Sequence, residues 1–243
     1  MKWFRTPALS ADNKLAQGFD PVTQADRNAE VAMRAVLAEL RPDDAILGEE
    51  QAYQPGTSGL TWVLDPIDGT RGFISGTPTW GTLIAVSDAS GPILGIVDQP
   101  YIGERFIGDP AGATLTRDGQ TTAINTRGTE TLKDAVIFTT FPEVGTPRDC
   151  GGFNAVADQC KLVRYGMDCY AYALLAAGHI DLVVEAVLNP FDIQGPMALV
   201  QAAGGVVTTW GGGDAQHGGQ VIAAATPELH AAALALLKDY SDD

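Results

Sequence analysis

The run Trp62-Val63-Leu64-Asp65-Pro66-Ile67-Asp68-Gly69-Thr70 places two carboxylates three residues apart, in a bend that Pro66 and Gly69 favour. Carboxylates at that spacing can face one point, and an all-oxygen donor set suits a hard cation such as Mg²⁺. The carbonyl of Ile67 lies where the turn breaks a strand and offers a further oxygen. Gly69 and Thr70 open a short helix, so their backbone N–H groups lack intrahelical acceptors and form a ready seat for phosphate. Taken alone, a D-x-x-D turn is also what a solvated loop looks like. It is not alone: Gly48-Glu49-Glu50 follows a strand expected over residues 45–47, and Asn189-Pro190-Phe191-Asp192 sets a carboxylate at a helix start. Asp192 by itself reads as an N-cap, a role compatible with holding a cation.

Electrostatics point the same way. The chain has 15 Lys+Arg against 30 Asp+Glu and a formal net charge of −15, so Glu49, Asp65, Asp68 and Asp192 gathered together would repel a phosphate dianion. Two divalent ions cancel the charge of these carboxylates, and a third makes the site positive. Such ions also lower the pKa of bound water and stabilise both oxygens of an in-line displacement, so metal is expected to serve binding as well as chemistry. Rival chemistries lack their signatures. His179, His217 and His230 stand far apart with no HExxH spacing, and neither a G-x-S-x-G elbow nor a G-x-x-x-x-G-K-[ST] phosphate loop occurs.

The elements that must position these groups follow from periodicity. With 243 residues and 45% apolar content, the chain is expected to form one compact unit of two halves, residues 1–126 and 127–243. In the first half, residues 19–23 read as extended. A helix is predicted over residues 23–40, with Val31, Val36, Leu37 and Leu40 as its apolar stripe and Arg41-Pro42 as its stop. Strands are predicted over 61–64, 82–87, 93–97 and 105–107, giving a helix on antiparallel sheet. The second half alternates: strands at 135–139, 162–165, 182–187, 206–209 and 220–224, helices at 153–160, 169–177, 192–203 and 227–238, with Gly204-Gly205 ending the third helix. That is a layered α/β pattern.

An acidic chain of pI near 4.4 repels phosphate backbones and anionic bilayers, so neither nucleic acid nor membrane is expected as a partner. The longest apolar runs, residues 170–177 and 222–225, fall well short of the roughly 20 residues needed to span a bilayer. The first residues show no secretory pattern, and a cytoplasmic location is expected. Cys150, Cys160 and Cys169 are an odd number without zinc-type pairing, which favours reduced thiols.

Taken in order, Asp20-Pro21-Val22-Thr23-x-Ala25-Asp26, Gly48-Glu49-Glu50, Asp65-Pro66-Ile67-Asp68-Gly69-Thr70, and Asp192 ahead of Ala203-Gly204-Gly205 resemble the inositol monophosphatase superfamily. Its members are Mg²⁺-dependent, lithium-sensitive phosphatases, and the likeness runs from Phe19 to about Ala225. The resemblance implies an α/β (α+β) fold of alternating α-β-α-β-α layers, as in the inositol monophosphatases and fructose bisphosphatases. It implies that Glu49, Asp65 and the Ile67 carbonyl hold one Mg²⁺ and that Asp65, Asp68 and Asp192 hold a second. Two or three ions are expected in all, and Mn²⁺ is an acceptable substitute. Asp26 and Thr70, with Glu49 nearby, resemble the groups that activate the attacking water. Asp68, Gly69 and Thr70 match the phosphate contacts, and Glu185 matches a contact to a substrate hydroxyl.

Substrate choice rests on Arg164-Tyr165-Gly166-Met167-Asp168-Cys169-Tyr170, which resembles the turn lining the substrate pocket through Gly166, Met167 and Asp168. Asp168 stands where inositol-cleaving members carry a small residue. By itself it also reads as the cap of the following helix. With Glu185 it makes a second acidic spot, away from the metals, suited to an ammonium group; Asp192 is expected to contact the substrate as well. This wording, with Arg71-Gly72-Phe73-Ile74-Ser75-Gly76 and Pro190-Phe191-Asp192-Ile193-Gln194, resembles the histidinol-phosphate phosphatase branch. The implied reaction converts L-histidinol phosphate to L-histidinol and phosphate, a step of histidine biosynthesis. Inositol-1-monophosphatase is the alternative, a 3′(2′),5′-bisphosphate nucleotidase or sugar phosphatase stands third, and a catalytically silent metal-binding scaffold is the non-enzymatic reading. The family carries a helix ahead of the segment matching Phe4-Arg5-Thr6-Pro7, which here lies close to Met1. Lack of that helix would leave an apolar face uncovered, and a homodimer is expected to cover it.

Overall fold

Period-two alternation through the first half of the chain builds a seven-stranded sheet. The computed structural model describes residues 1–7, 9–13 and 21–242, so the extended chain expected at Phe19 and Asp20 lies outside the described residues. The elements run β1 (Ala11–Asn13), β2 (Pro21–Thr23), α1 (Gln24–Leu40), β3 (Ala45–Gly48), β4 (Thr61–Asp68), α2 (Thr70–Ser75), β5 (Gly81–Asp88), β6 (Gly91–Gln99), β7 (Glu104–Asp109), β8 (Gly112–Arg117) and β9 (Gln120–Ile124). The second half adds β10 (Val136–Thr139), α3 (Pro147–Ala157), β11 (Leu162–Tyr165), α4 (Cys169–Ala176), β12 (Leu182–Leu188), α5 (Pro190–Ala202), β13 (Val206–Thr209), β14 (Gly219–Ala224) and α6 (Pro227–Leu237).

The large sheet has the order β3-β4-β5-β6-β7-β8-β9 and is antiparallel except where β3 joins β4. A five-stranded mixed sheet of order β11-β10-β12-β14-β13 lies across from it. Helices α4 and α5 fill the space between the sheets, and their residues share one core with Leu83, Val97 and Phe106 of the large sheet and Val183, Val221 and Ala223 of the small one. Helices α3 and α6 cover the far face of the small sheet through Phe153, Val156, Leu229 and Leu237. Helices α1 and α2 cover the far face of the large one, where Leu37 meets Ile46 and Leu64, and Phe73 meets Ile67 and Trp80. The result is the expected α-β-α-β-α stack. Among the described residues no helix is long and apolar enough to cross a membrane, and all three cysteines are free thiols.

Three expectations need correction. Helix α1 does not bury its predicted stripe: Val31, Val36 and Leu40 are exposed, and the packed face carries Ala25, Asp26, Glu30 and Leu37. Two carboxylates on the buried face, each hydrogen-bonded, disguise that face in a hydropathy pattern. Helix α3 begins at Pro147 rather than near 153, because Thr146 and Asp149 close a capping box. Strands β8 and β9 lengthen the sheet beyond the predicted strands; β9 is almost wholly exposed, so it carries little of the apolar alternation by which strands are recognised.

The placement of α5 is set by missing side chains. A Cβ on Gly95 of β6 would stand 2.1 Å from the Gly195 carbonyl oxygen, and one on Gly108 of β7 would stand 2.5 Å from the Leu199 Cα. Helix backbone therefore lies directly on sheet backbone, and the Ser87 hydroxyl reaches Gln194 to tie the same helix to β5. Replacing Gly95 by Val forces α5 off this seat. The expected outcome is a loss of about 1–3 kcal/mol in urea unfolding, the usual range for overpacking; an unchanged midpoint would refute the backbone contact.

Candidate active site

Strand register aims the acidic groups into the middle layer. Asp65 pairs with Leu83 across β4 and β5, so it shares the face on which Leu83 packs against α4 and α5. Glu185 pairs with Val221 across β12 and β14 and faces the same layer from the opposite sheet. The β4–β5 register shifts between Asp65 and Asp68. In that irregular stretch the Ile67 N–H donates to Asp65 Oδ1 at 3.0 Å. The Ile67 side chain is buried among Phe4, Ala25, Phe73 and Trp80, which fixes the backbone at this bend. The Thr70 hydroxyl lies 3.1 Å from the Ile67 carbonyl oxygen and 3.4 Å from Asp26 Oδ1. Asp26 Oδ2 in turn accepts from the Thr23 N–H at 2.8 Å and from the Thr23 hydroxyl.

The capping roles expected of Asp168 and Asp192 fall elsewhere. Asp168 occupies the N-cap position of α4 without a side-chain cap bond, at φ 47. The α4 terminus is capped instead by Asp68, whose Oδ2 accepts from the Cys169 N–H at 2.7 Å. The Asp168 carboxyl lies against Gly69, where an added Cβ would come within 2.9 Å of its Cγ; at φ 80, Gly69 is required by conformation as well as space. Asp192 is the third residue of α5 rather than its cap. Asn189 is the N-cap, and its N–H donates to Asp192 Oδ2 at 2.6 Å.

Asp65, Asp68 and Asp192 each present an oxygen, and these atoms lie within 4.8 Å of one another. The Asp65 carboxyl is held well above the usual carboxylate range by burial first, then by the charges of Glu49, Asp68 and Asp192. Asp68 is raised likewise by burial and by Asp168 and Asp192, against the pull of the Cys169 N–H. An all-oxygen set so spaced fits divalent cations with metal–oxygen distances of about 2.0–2.6 Å, and the raised values record charge that such cations would neutralise. Glu49 lies where its charge acts on Asp65. Its turn is held by Glu30, a fully buried residue of α1 that accepts from the Glu50 N–H at 2.7 Å and pairs with Arg34 at 2.7 Å. Gly48 is needed there, because a Cβ would fall 2.1 Å from Glu30 Oε1.

Glu49, Asp65, Asp68 and Asp192 line one cleft of about 760 Å³, together with Ile67, Gly69, Thr70, Arg71, Asp168 and Glu185. Asp26 stands behind Thr70 rather than in the lining. Gly166 and Met167 are not among the lining residues, and Met167 packs against the central core. Glu185 Oε1 accepts from the Thr140 N–H and hydroxyl at 2.7 and 2.8 Å, and Oε2 accepts from the Thr139 hydroxyl at 3.0 Å. Sequence reasoning missed Glu30, Thr140, Phe141 and Tyr172. Glu30 and Arg34 do carry an i,i+4 pairing signal; the other three carry none, because only the tertiary fold brings them to the cleft.

Comparison with known proteins gives one consistent result. A profile of the inositol monophosphatase family matches residues 2–242. The chain is 42% identical over 194 residues to the chloroplastic bifunctional phosphatase IMPL2 of Arabidopsis thaliana, covering 79% of this chain and 55% of that protein. It thus spans little more than half that relative's length. It is 33% identical to a histidinol-phosphatase of Chlorobaculum parvum, covering 76% of this chain and 71% of the other. A solved inositol monophosphatase from Zymomonas mobilis superposes with a TM-score of 0.84 at 38% identity, covering 98% of this chain and 90% of that one.

Burial pushes the Glu185 carboxyl up to about 7 from 4.5, with Asp168 adding to the rise and the bonds from Thr139 and Thr140 opposing it. The folded chain then holds a proton that the unfolded chain releases, so this group's contribution to stability falls as pH rises from about 4.5 to 7. In chelator, Glu185→Gln is expected to gain on the wild type by roughly 3 kcal/mol across that window, read from urea unfolding at pH 4.5, 6 and 7. Parallel curves for the two proteins would contradict the assignment.

Proposed function

We propose that this chain, which belongs to the inositol monophosphatase family of phosphatases, removes phosphate from L-histidinol phosphate. The observation that carries the reading is the second acidic zone of the cleft. Asp168 and Glu185 line the same cavity as Asp65, Asp68 and Asp192, and the Asp168 charge is felt at Glu185. A substrate whose phosphate binds at one zone and whose ammonium binds at the other uses both, whereas a neutral polyol offers the second zone only hydroxyls. The histidinol-phosphatases of Chlorobaculum parvum and Mycobacterium tuberculosis among the relatives support this choice. The alternative, an inositol-1-phosphate substrate, has support from a Mesorhizobium japonicum relative of that name at 31% identity.

Asp65, Asp68 and Asp192, with Glu49 and the Ile67 carbonyl, would hold the divalent ions, and Mg²⁺ suits their all-oxygen donors. Bound there, such ions neutralise the acidic cluster, polarise the phosphoryl group and acidify water. The chain's own groups do the rest. The Thr70 hydroxyl donates toward Asp26 Oδ1 or the Ile67 carbonyl, which leaves its oxygen to accept from, and so orient, the attacking water. The water's proton can pass through Thr70 Oγ1 to Asp26 Oδ1, an oxygen that the Thr23 contacts to Oδ2 keep turned toward Thr70. The N–H groups of Gly69 and Thr70 hold the phosphoryl oxygens, and Asp168 and Glu185 orient the ammonium end.

Two measurements test this. The kcat/KM for histidinol phosphate should exceed that for myo-inositol 1-phosphate by tenfold or more, vanish in EDTA and return with Mg²⁺; a rate on histidinol phosphate equal to or below that on the inositol ester would select the alternative. Asp168→Asn should lower kcat/KM for histidinol phosphate by about 10–100-fold, the worth of a charge-assisted hydrogen bond. The same substitution should change the inositol ester rate by no more than about threefold, because that substrate carries no charge for Asp168 to meet.

A further inference from the structure

Tyr172 lies on α4 one turn beyond Cys169, is 3% exposed, and lines the cleft. Its hydroxyl is buried without a hydrogen-bond partner, a condition shared among the described residues only by the indole nitrogen of Trp80. Such a group normally weakens a fold, because its lost hydration is not replaced. A phenylalanine would fill the same volume without that penalty. Burial and the charges of Glu185, Asp68 and Asp192 keep the Tyr172 phenol protonated far into the alkaline range, so it is a hydrogen-bond donor at any working pH. The cleft that Tyr172 lines is thus shared with three carboxylates whose charges act on the phenol, and the hydroxyl donates to none of them. Both Glu185 oxygens accept from Thr139 and Thr140, while Asp68 accepts from the Cys169 N–H and Asp192 from the Asn189 N–H.

We propose that Tyr172 is a positioning residue of the metal centre, its phenolic O–H bonding a carboxylate oxygen of Asp68 or Asp192 when divalent cations are bound. The proposal rests on the metal-dependent reading of the cleft but not on the identity of the ester. A metal-ligating carboxylate that accepts a further hydrogen bond is fixed in orientation, and loss of such a bond characteristically weakens metal affinity by 10–100-fold. The donor is thus unsatisfied in the free chain and satisfied in the loaded one, which couples Tyr172 to cation binding.

The test uses the full chain and its Tyr172→Phe variant, titrated calorimetrically with MgCl₂ alone and melted in EDTA and in saturating Mg²⁺. The variant is expected to melt at or above the wild-type temperature in EDTA, to bind Mg²⁺ about tenfold more weakly, and to show a smaller Mg²⁺-induced rise in Tm. Opposite signs for the two effects are the signature, because a side chain needed only for packing lowers both. A Mg²⁺ affinity within fivefold of wild type would overturn the proposal, as would a fall in the EDTA melting temperature alongside the weaker affinity. Failure of the wild type itself to bind Mg²⁺ would overturn the metal reading, and Tyr172's role with it.

Discussion

Asp65, Asp68 and Asp192 repel one another, and the architecture has to hold them together against that repulsion. Their oxygens approach within 4.8 Å in a chain of formal net charge −15. Each accepts from a backbone N–H, of Ile67, Cys169 and Asn189 respectively. Neutral donors stabilise the charged carboxylates without cancelling their charge. An all-oxygen cluster held in this way is of the kind whose charge divalent cations neutralise.

Positioning these backbone donors requires close packing of whole elements. Helix α5 reaches its place because Gly95 and Gly108 let its backbone rest on the large sheet. Helix α4 reaches its own because Asp68 caps it from 101 residues away in sequence. The turn carrying Glu49 is pinned by a buried carboxylate of α1, Glu30. Parts of the site are thus fixed by interactions that also close the core between the layers, so substitutions far from the cleft can act on chemistry through the seating of a helix. The cleft is lined from several elements at once: Asp65 and Asp68 come from β4, Asp192 from α5, Asp168 from the start of α4 and Glu185 from β12.

Much of this was legible in the residues because it is local. Asp65, Ile67, Asp68, Gly69 and Thr70 fall within one bend, and the oxygen donors and free N–H groups it offers follow from residue type and turn geometry without knowledge of the fold. Strand alternation and helix stops located most elements, including the α5 terminus at Gly204, where φ is 94. Hydropathy failed where polarity and burial part company. Asp26 and Glu30 are buried and satisfied, while Val31, Val36 and Leu40 of the same helix are exposed.

By itself, then, the sequence determined the donor types, the turn that sets two of them side by side, and the layered class. Tertiary structure alone decided which carboxylate caps which helix, which groups behind the acidic cluster hold it, and that Tyr172 lines the cleft with an unbonded hydroxyl. The physical reason is one of range. Turn geometry and periodicity act over a few residues and leave their mark in spacing, whereas a hydrogen bond between Asp68 and Cys169, or a glycine seat under a helix, depends on the distance between backbones that only the packed layers establish.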